Sequence, residues 1–127
     1  MKLKKITTNL MVESVNDTIE FYSELGFEDI LTVPKEGEFE FAIVKSGDVE
    51  LMFQSRKSLG KDISEFRYKK TGGTFTLYIK VENLLEIYER MKEKTEIVED
   101  VHKTFYGTYE FSMKDNNGYI LGLAEGE

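Results

Sequence analysis

The chain has 127 residues and no cysteine, which excludes disulfides, a thiolate nucleophile and cysteine-bound zinc. Its 40% apolar and 32% charged residues suit one folded globular domain. A formal net charge of −7 argues against a nucleic-acid partner, and no apolar run approaches the ~18 residues of a membrane span.

The first element is KITTNLMV (residues 5–12). A basic start precedes it, as in a signal peptide, but Thr7, Thr8 and Asn9 break the apolar run. The segment therefore reads as a strand, and a cytoplasmic location is expected. A helix follows in DTIEFYSEL (17–25), with Asp17 as its N-cap, Glu20 closing a capping box, and Ile19, Tyr22 and Leu25 on one face. Gly26 stands where a left-handed C-terminal residue is wanted. GFEDILTV (26–33) is a strand, and EFEFAIV (38–44) and DVELMFQ (48–54) form a hairpin around Ser46-Gly47.

Residues 55–73 are basic and contain Gly60, Gly72 and Gly73. They read as a linker in which Ile63 and Phe66 make one helical turn, and which could serve as a pocket flap. TFTLYIKV (74–81) is a strand, NLLEIYERM (83–91) a helix capped by Asn83 and Glu86, and EIVEDVHK (96–103) a strand. TYEFSMK (108–114) and YILGLAE (119–125) pair around Asn116-Asn117-Gly118, a strong hairpin signal. Gly122 leaves a gap in a strand otherwise suited to a core.

The order strand, helix, strand, strand, strand occurs twice, with a period near 69 residues. DTIEFYSEL aligns with NLLEIYERM, and Phe39-Glu40-Phe41 with Tyr109-Glu110-Phe111. One domain is expected, with module one in residues 1–54, a linker in 55–73 and module two in 74–127. Phe39, Phe41, Tyr109 and Phe111 are expected in the core.

NLMVESVNDTIEFYSELGFE (9–28) and FYGTYEFSMKDNNGYILGLAE (105–125) resemble the vicinal oxygen chelate superfamily, which includes glyoxalase I, extradiol dioxygenases and bleomycin-resistance proteins. The resemblance implies an α+β fold of two tandem βαβββ modules whose curved mixed sheet surrounds a cleft. It also implies a homodimer. In many members four cleft residues, usually His, Glu or Gln, hold a divalent metal. Carried onto this chain, those positions fall on Thr7, Glu50, Thr76 and Gly122. The repeat is read as pairing Thr7 with Thr76 and Glu50 with Gly122.

Of these four, only Glu50 is a strong ligand, so no metal and no other cofactor is expected. The single histidine, His102, is placed away from them. Strand alternation adds Asn9, Met52 and Tyr78 to the lining, and Tyr106 stands at the rim. The primary reading is a metal-free protein of the bleomycin-resistance type that sequesters a small cationic or aromatic molecule. The alternative is a lyase, isomerase or dioxygenase-type enzyme of the same superfamily, with Glu50 as a general base of raised pKa or as a metal ligand. A third reading is a regulatory dimer platform.

Overall fold

The structure, a computed structural model, describes residues 1–126. Its contacts divide into two compact units, Met1–Lys69 and Lys70–Glu127. Each contains one βαβββ module, and the α+β class is as expected.

In the first unit, β1 (Thr8–Val12), α1 (Val15–Ser23), β2 (Glu28–Val33), β3 (Phe41–Ser46) and β4 (Val49–Ser55) form a sheet of order β1-β4-β3-β2. β1 runs parallel to β4, while the other pairings are antiparallel. In the second unit, β5 (Thr76–Lys80), α3 (Leu84–Met91), β6 (Ile97–Lys103), β7 (Tyr109–Lys114) and β8 (Ile120–Glu125) repeat this plan as β5-β8-β7-β6. β5 is parallel to β8.

Alternation along the strands decides the core. Leu51 and Phe53 of β4 are buried, as are Ala42 and Val44 of β3. The Tyr22 ring of α1 lies 5.0 Å from Phe53 and 5.5 Å from Phe27, which fixes the helix to this face. In module two, Leu121, Leu123, Phe111 and Met113 are buried, and Tyr88 of α3 meets Phe111 at 5.3 Å. Of the four aromatics expected in the core, only Phe111 is fully buried. Phe41 alternates with Ala42 and Val44, so it lies on the opposite face and is half-buried. Phe39, ahead of β3, is also only half-buried. Tyr109, at the start of β7, is half exposed under Lys103.

Several expected boundaries shift. α1 begins at Val15, and its N-cap is Ser14 rather than Asp17; the Ser14 hydroxyl accepts from the Asp17 N–H at 3.1 Å. Asn83 does cap α3, but in a left-handed conformation and without a side-chain bond. The Glu125 carboxylate does that work, accepting from the Asn83 and Leu84 N–H groups at 3.0 and 2.9 Å. With Ser14 and Asn83 equivalent, the helices align with an offset of 69, so buried Tyr22 matches buried Met91. The segment read as a linker is largely folded. Ser55 caps α2 (Arg56–Asp62), a 3₁₀ turn follows at Ser64–Phe66, and the first unit extends through Lys69. Ser-Leu within a basic run carries too little periodicity to reveal a seven-residue helix.

Replacing Ser14 by Ala removes a side-chain cap and is expected to cost about 1 kcal/mol. Asp17→Ala is expected to cost only a few tenths, through the helix dipole. Thermal unfolding of the two variants checks the order; an equal or reversed effect would contradict the observed cap.

Candidate functional site

The face of each sheet turned away from its helix carries the polar chemistry. In module one this face presents Glu50, Met52 and Gln54 from β4. Glu50 is half-buried and accepts an ion-paired hydrogen bond from Lys5 Nζ at 2.9 Å. The Lys5 ammonium, followed by the Lys45 charge and last by the Thr7 hydroxyl, holds the Glu50 carboxyl below its usual range against an opposing effect of burial that is smaller than the Lys5 hydrogen bond. The alternative, enzymatic reading gives Glu50 a raised pKa, and the cation beside it produces the opposite shift. Asn9 lies next to Met52 in the parallel register and donates to Gln54 Oε1 at 2.9 Å. Gln54 in turn donates to Ser58 Oγ at 2.8 Å and Asp62 Oδ2 at 2.9 Å. This chain ties β1 and β4 to α2.

In module two the corresponding face centres on Glu110 of β7. Its Oε2 accepts from the hydroxyls of Tyr78 at 2.5 Å, Tyr106 at 2.9 Å and Thr108 at 2.9 Å. Among the described residues no protein donor reaches Oε1. The Tyr78 phenol, and then the Thr108 and Tyr106 hydroxyls, hold Glu110 below the usual carboxylate range. The same bond pushes Tyr78 up to about 12. Tyr78 and Tyr106 remain 50% and 51% exposed, so the group is open to solvent. His102 is the cross-strand partner of Glu110, and its charge also favours the ionised carboxylate.

Gly122 now has a reason. Its β5 partner is Tyr78 and its β7 partner is Ser112. A Cβ at Gly122 would lie 3.5 Å from Tyr78 Cδ1, so the tyrosine ring covers the space the glycine leaves. Neighbouring Ala124, opposite Glu110, adds only a methyl group. Two small residues let the ring cross β8 and deliver its hydroxyl to β7. The register also corrects the repeat. Met52 pairs with Asn9 and Gly122 with Tyr78, so Gly122 corresponds to Met52, and Glu50 corresponds to Ile120.

The structure thus gathers Tyr78, Tyr106 and Gly122 from the expected site residues around Glu110. In module one it links Asn9 to Gln54 and places Lys5 on Glu50. Thr76 is exposed opposite Ile120. Sequence reading missed Glu110 as a site residue. The signal was its alternation with Phe111, which puts Glu110 on the face away from the helix. It also missed His102 as a neighbour of Glu110, because the irregular pairing between Glu99 and His102 shifts the register of β6.

Among the described residues no three His, Asp or Glu side chains converge as a metal site would require. The family's four metal positions, with Glu50 already paired to Lys5, do not supply a fitting donor set.

The family model for the Glyoxalase/Bleomycin resistance protein/Dioxygenase superfamily matches residues 4–123. The chain belongs to this superfamily. No curated protein matches at a significant level. Among solved structures, a protein of unknown function from Agrobacterium tumefaciens has a TM-score of 0.82 at 15% identity, covering 100% of this chain and 97% of its own. A glyoxalase-related enzyme from Fulvimarina pelagi has a TM-score of 0.79 at 17% identity, covering 98% and 89%. The bleomycin resistance determinant encoded on transposon Tn5 has a TM-score of 0.69 at 20% identity, covering 98% and 99%. At these identities the likeness is one of fold. No helix among the described residues is long and apolar enough to cross a membrane.

Glu110 is lowered from its ordinary pKa and Tyr78 is raised. The carboxylate's share of stability is therefore present above its unfolded pKa and lost as pH falls through the depressed folded value. The phenol's share is present below pH 10 and lost as pH rises through about 12. Ultraviolet titration should show a tyrosine component ionising near pH 12 in the parent protein, and that component should shrink by one residue in Glu110→Gln. Gly122→Ala should leave this titration in place, because its Cβ meets the ring at ordinary contact distance. Gly122→Leu should shrink the component in the same way by displacing the ring. An unchanged titration in Gly122→Leu would contradict the ring's path over β8.

Proposed function

We propose that this protein binds a small cationic aromatic molecule on the Glu110 face of module two, without a metal. The observation that carries this reading is the carboxylate itself. It is held ionised by three hydroxyl donors on one oxygen, and its other oxygen is left to a guest. Tyr78 and Tyr106 flank it with half-exposed rings that a cation or a planar guest can approach. Gly122 keeps the floor low beneath Tyr78. A cation on Oε1 would make a charge-assisted contact, while the tyrosines supply apolar area.

The net charge of −7 favours capture of a cation from solution. In the enzymatic alternative, Glu50 or Glu110 would abstract a proton. Both carboxyls are lowered by their donors, which makes them weaker bases and favours an anchoring role. Thr76, at the start of β5 on the strand that carries Tyr78, belongs to the same reading as a further ligand contact. The protein acts as a cytoplasmic homodimer in this reading, so sedimentation should give twice the 14.7 kDa chain mass.

The test is isothermal titration with an acridinium dye, its neutral isostere and metal-free bleomycin. The acridinium ion is expected to bind at least about tenfold more tightly than the neutral compound, a difference of about 1.4 kcal/mol. Glu110→Gln is expected to remove that preference. A preference that survives in Glu110→Gln, or no binding of any cation, would overturn the proposal. Bleomycin, the drug named for the Tn5 relative, reports whether the guest class extends to a large cationic ligand.

A further inference from the structure

We propose that the first unit carries a second site of opposite charge preference, an anion site for a small phosphate-bearing ligand. It lies in the segment that follows β4. Residues 56–70 hold six of the chain's 17 basic residues but only two of its 24 acidic ones. An acidic protein that concentrates its cations this way forms a local positive field against its own background. The fold then gives that field a shape. α2 and the turn after it enclose an open cavity of about 400 Å³ lined by Arg56, Lys57, Gly60, Lys61 and Arg67.

Four of the five lining residues are cationic. Gly60 lets the two segments close on each other, since a Cβ there would come within 3.1 Å of Arg67 Cα. Arg56 is the fixed wall. Its guanidinium donates to both oxygens of Glu13, at 2.5 and 3.4 Å, and to the Lys69 carbonyl. Lys57, Lys61 and Arg67 make no ion pair with any described residue. Three cations without an ion pair thus line one cavity, where a polyanion can pair with them together. Arg67 offers a planar fork suited to a phosphate, and the lysines act as point charges around it. The aliphatic stems of these side chains supply apolar walls for the body that carries the phosphate. This inference does not depend on the cation site of module two.

The probe is inorganic pyrophosphate, titrated calorimetrically into the intact protein at about 0.15 M salt, where exposed charges are screened beyond about 8 Å. Sulfate is the control for anions in general, and vesicles rich in phosphatidylserine are the control for a membrane surface. Pyrophosphate is expected to bind one per chain, at least tenfold more tightly than sulfate. The double variant Lys61→Gln/Arg67→Gln should weaken it tenfold or more, and Lys2→Gln/Lys4→Gln, an equal loss of charge elsewhere, should leave it unchanged. Circular dichroism checks that both variants fold, and a single Lys57→Gln variant serves if the first does not. Three results would overturn the proposal. These are no saturable binding, equal weakening by the two double variants, and binding to vesicles without binding to soluble pyrophosphate.

Discussion

Each module depends on the parallel pairing of its first strand with its last, β1 with β4 and β5 with β8. Parallel neighbours need a crossover, and the helix between them supplies it and must then cover one face of the sheet. The other strands complete the sheet by antiparallel pairing. One face therefore belongs to the core, through Leu51 and Phe53 or Leu121 and Leu123. The opposite face is left uncovered by the crossover helix, and it carries the polar side chains. Glu50, Met52, Gln54, Tyr78, Glu110 and Gly122 occupy their positions because of this division.

The duplicated frame has diverged where it is free to do so. At one equivalent pair of positions, module one sets Asn9 beside Met52 and module two sets Tyr78 beside Gly122. The large and small side chains have changed strands. Two positions further along, Gln54 in module one corresponds to Ala124 in module two. Gln54 binds its face to α2 through Ser58 and Asp62. Ala124 opens the way for Tyr78 to reach Glu110. The same backbone thus gives a face committed to internal hydrogen bonds and a face with an open carboxylate.

Much of the fold was legible in sequence because it rests on local signals. The strand runs, the Asn-Gly turn, Gly26 and the repeated element order all express preferences of short segments. The register between the halves was not legible, because it depends on which residues face each other across strands. Aligning Phe41 with Phe111 looked natural by residue type. The structure instead matches buried Ala42 to buried Phe111, since burial is what the frame repeats. A shift of one residue moves a side chain to the other face. That is why Glu110 was counted within a core motif and missed as a site residue. Lys5 escaped notice although it opens the predicted strand 5–12: β1 begins only at Thr8, and the Lys5 side chain reaches Glu50 from ahead of it. Lone hydrogen-bond partners of this kind leave no periodic trace.

The most direct test of the central claim is a nuclear magnetic resonance titration of the ¹³C-labelled Glu110 carboxyl and the tyrosine rings with an acridinium cation. The account predicts shifts concentrated at Glu110, Tyr78, Tyr106 and Gly122, with the carboxyl remaining ionised throughout. Shifts confined to other residues, or a Glu110 carboxyl unmoved at saturation, would contradict it.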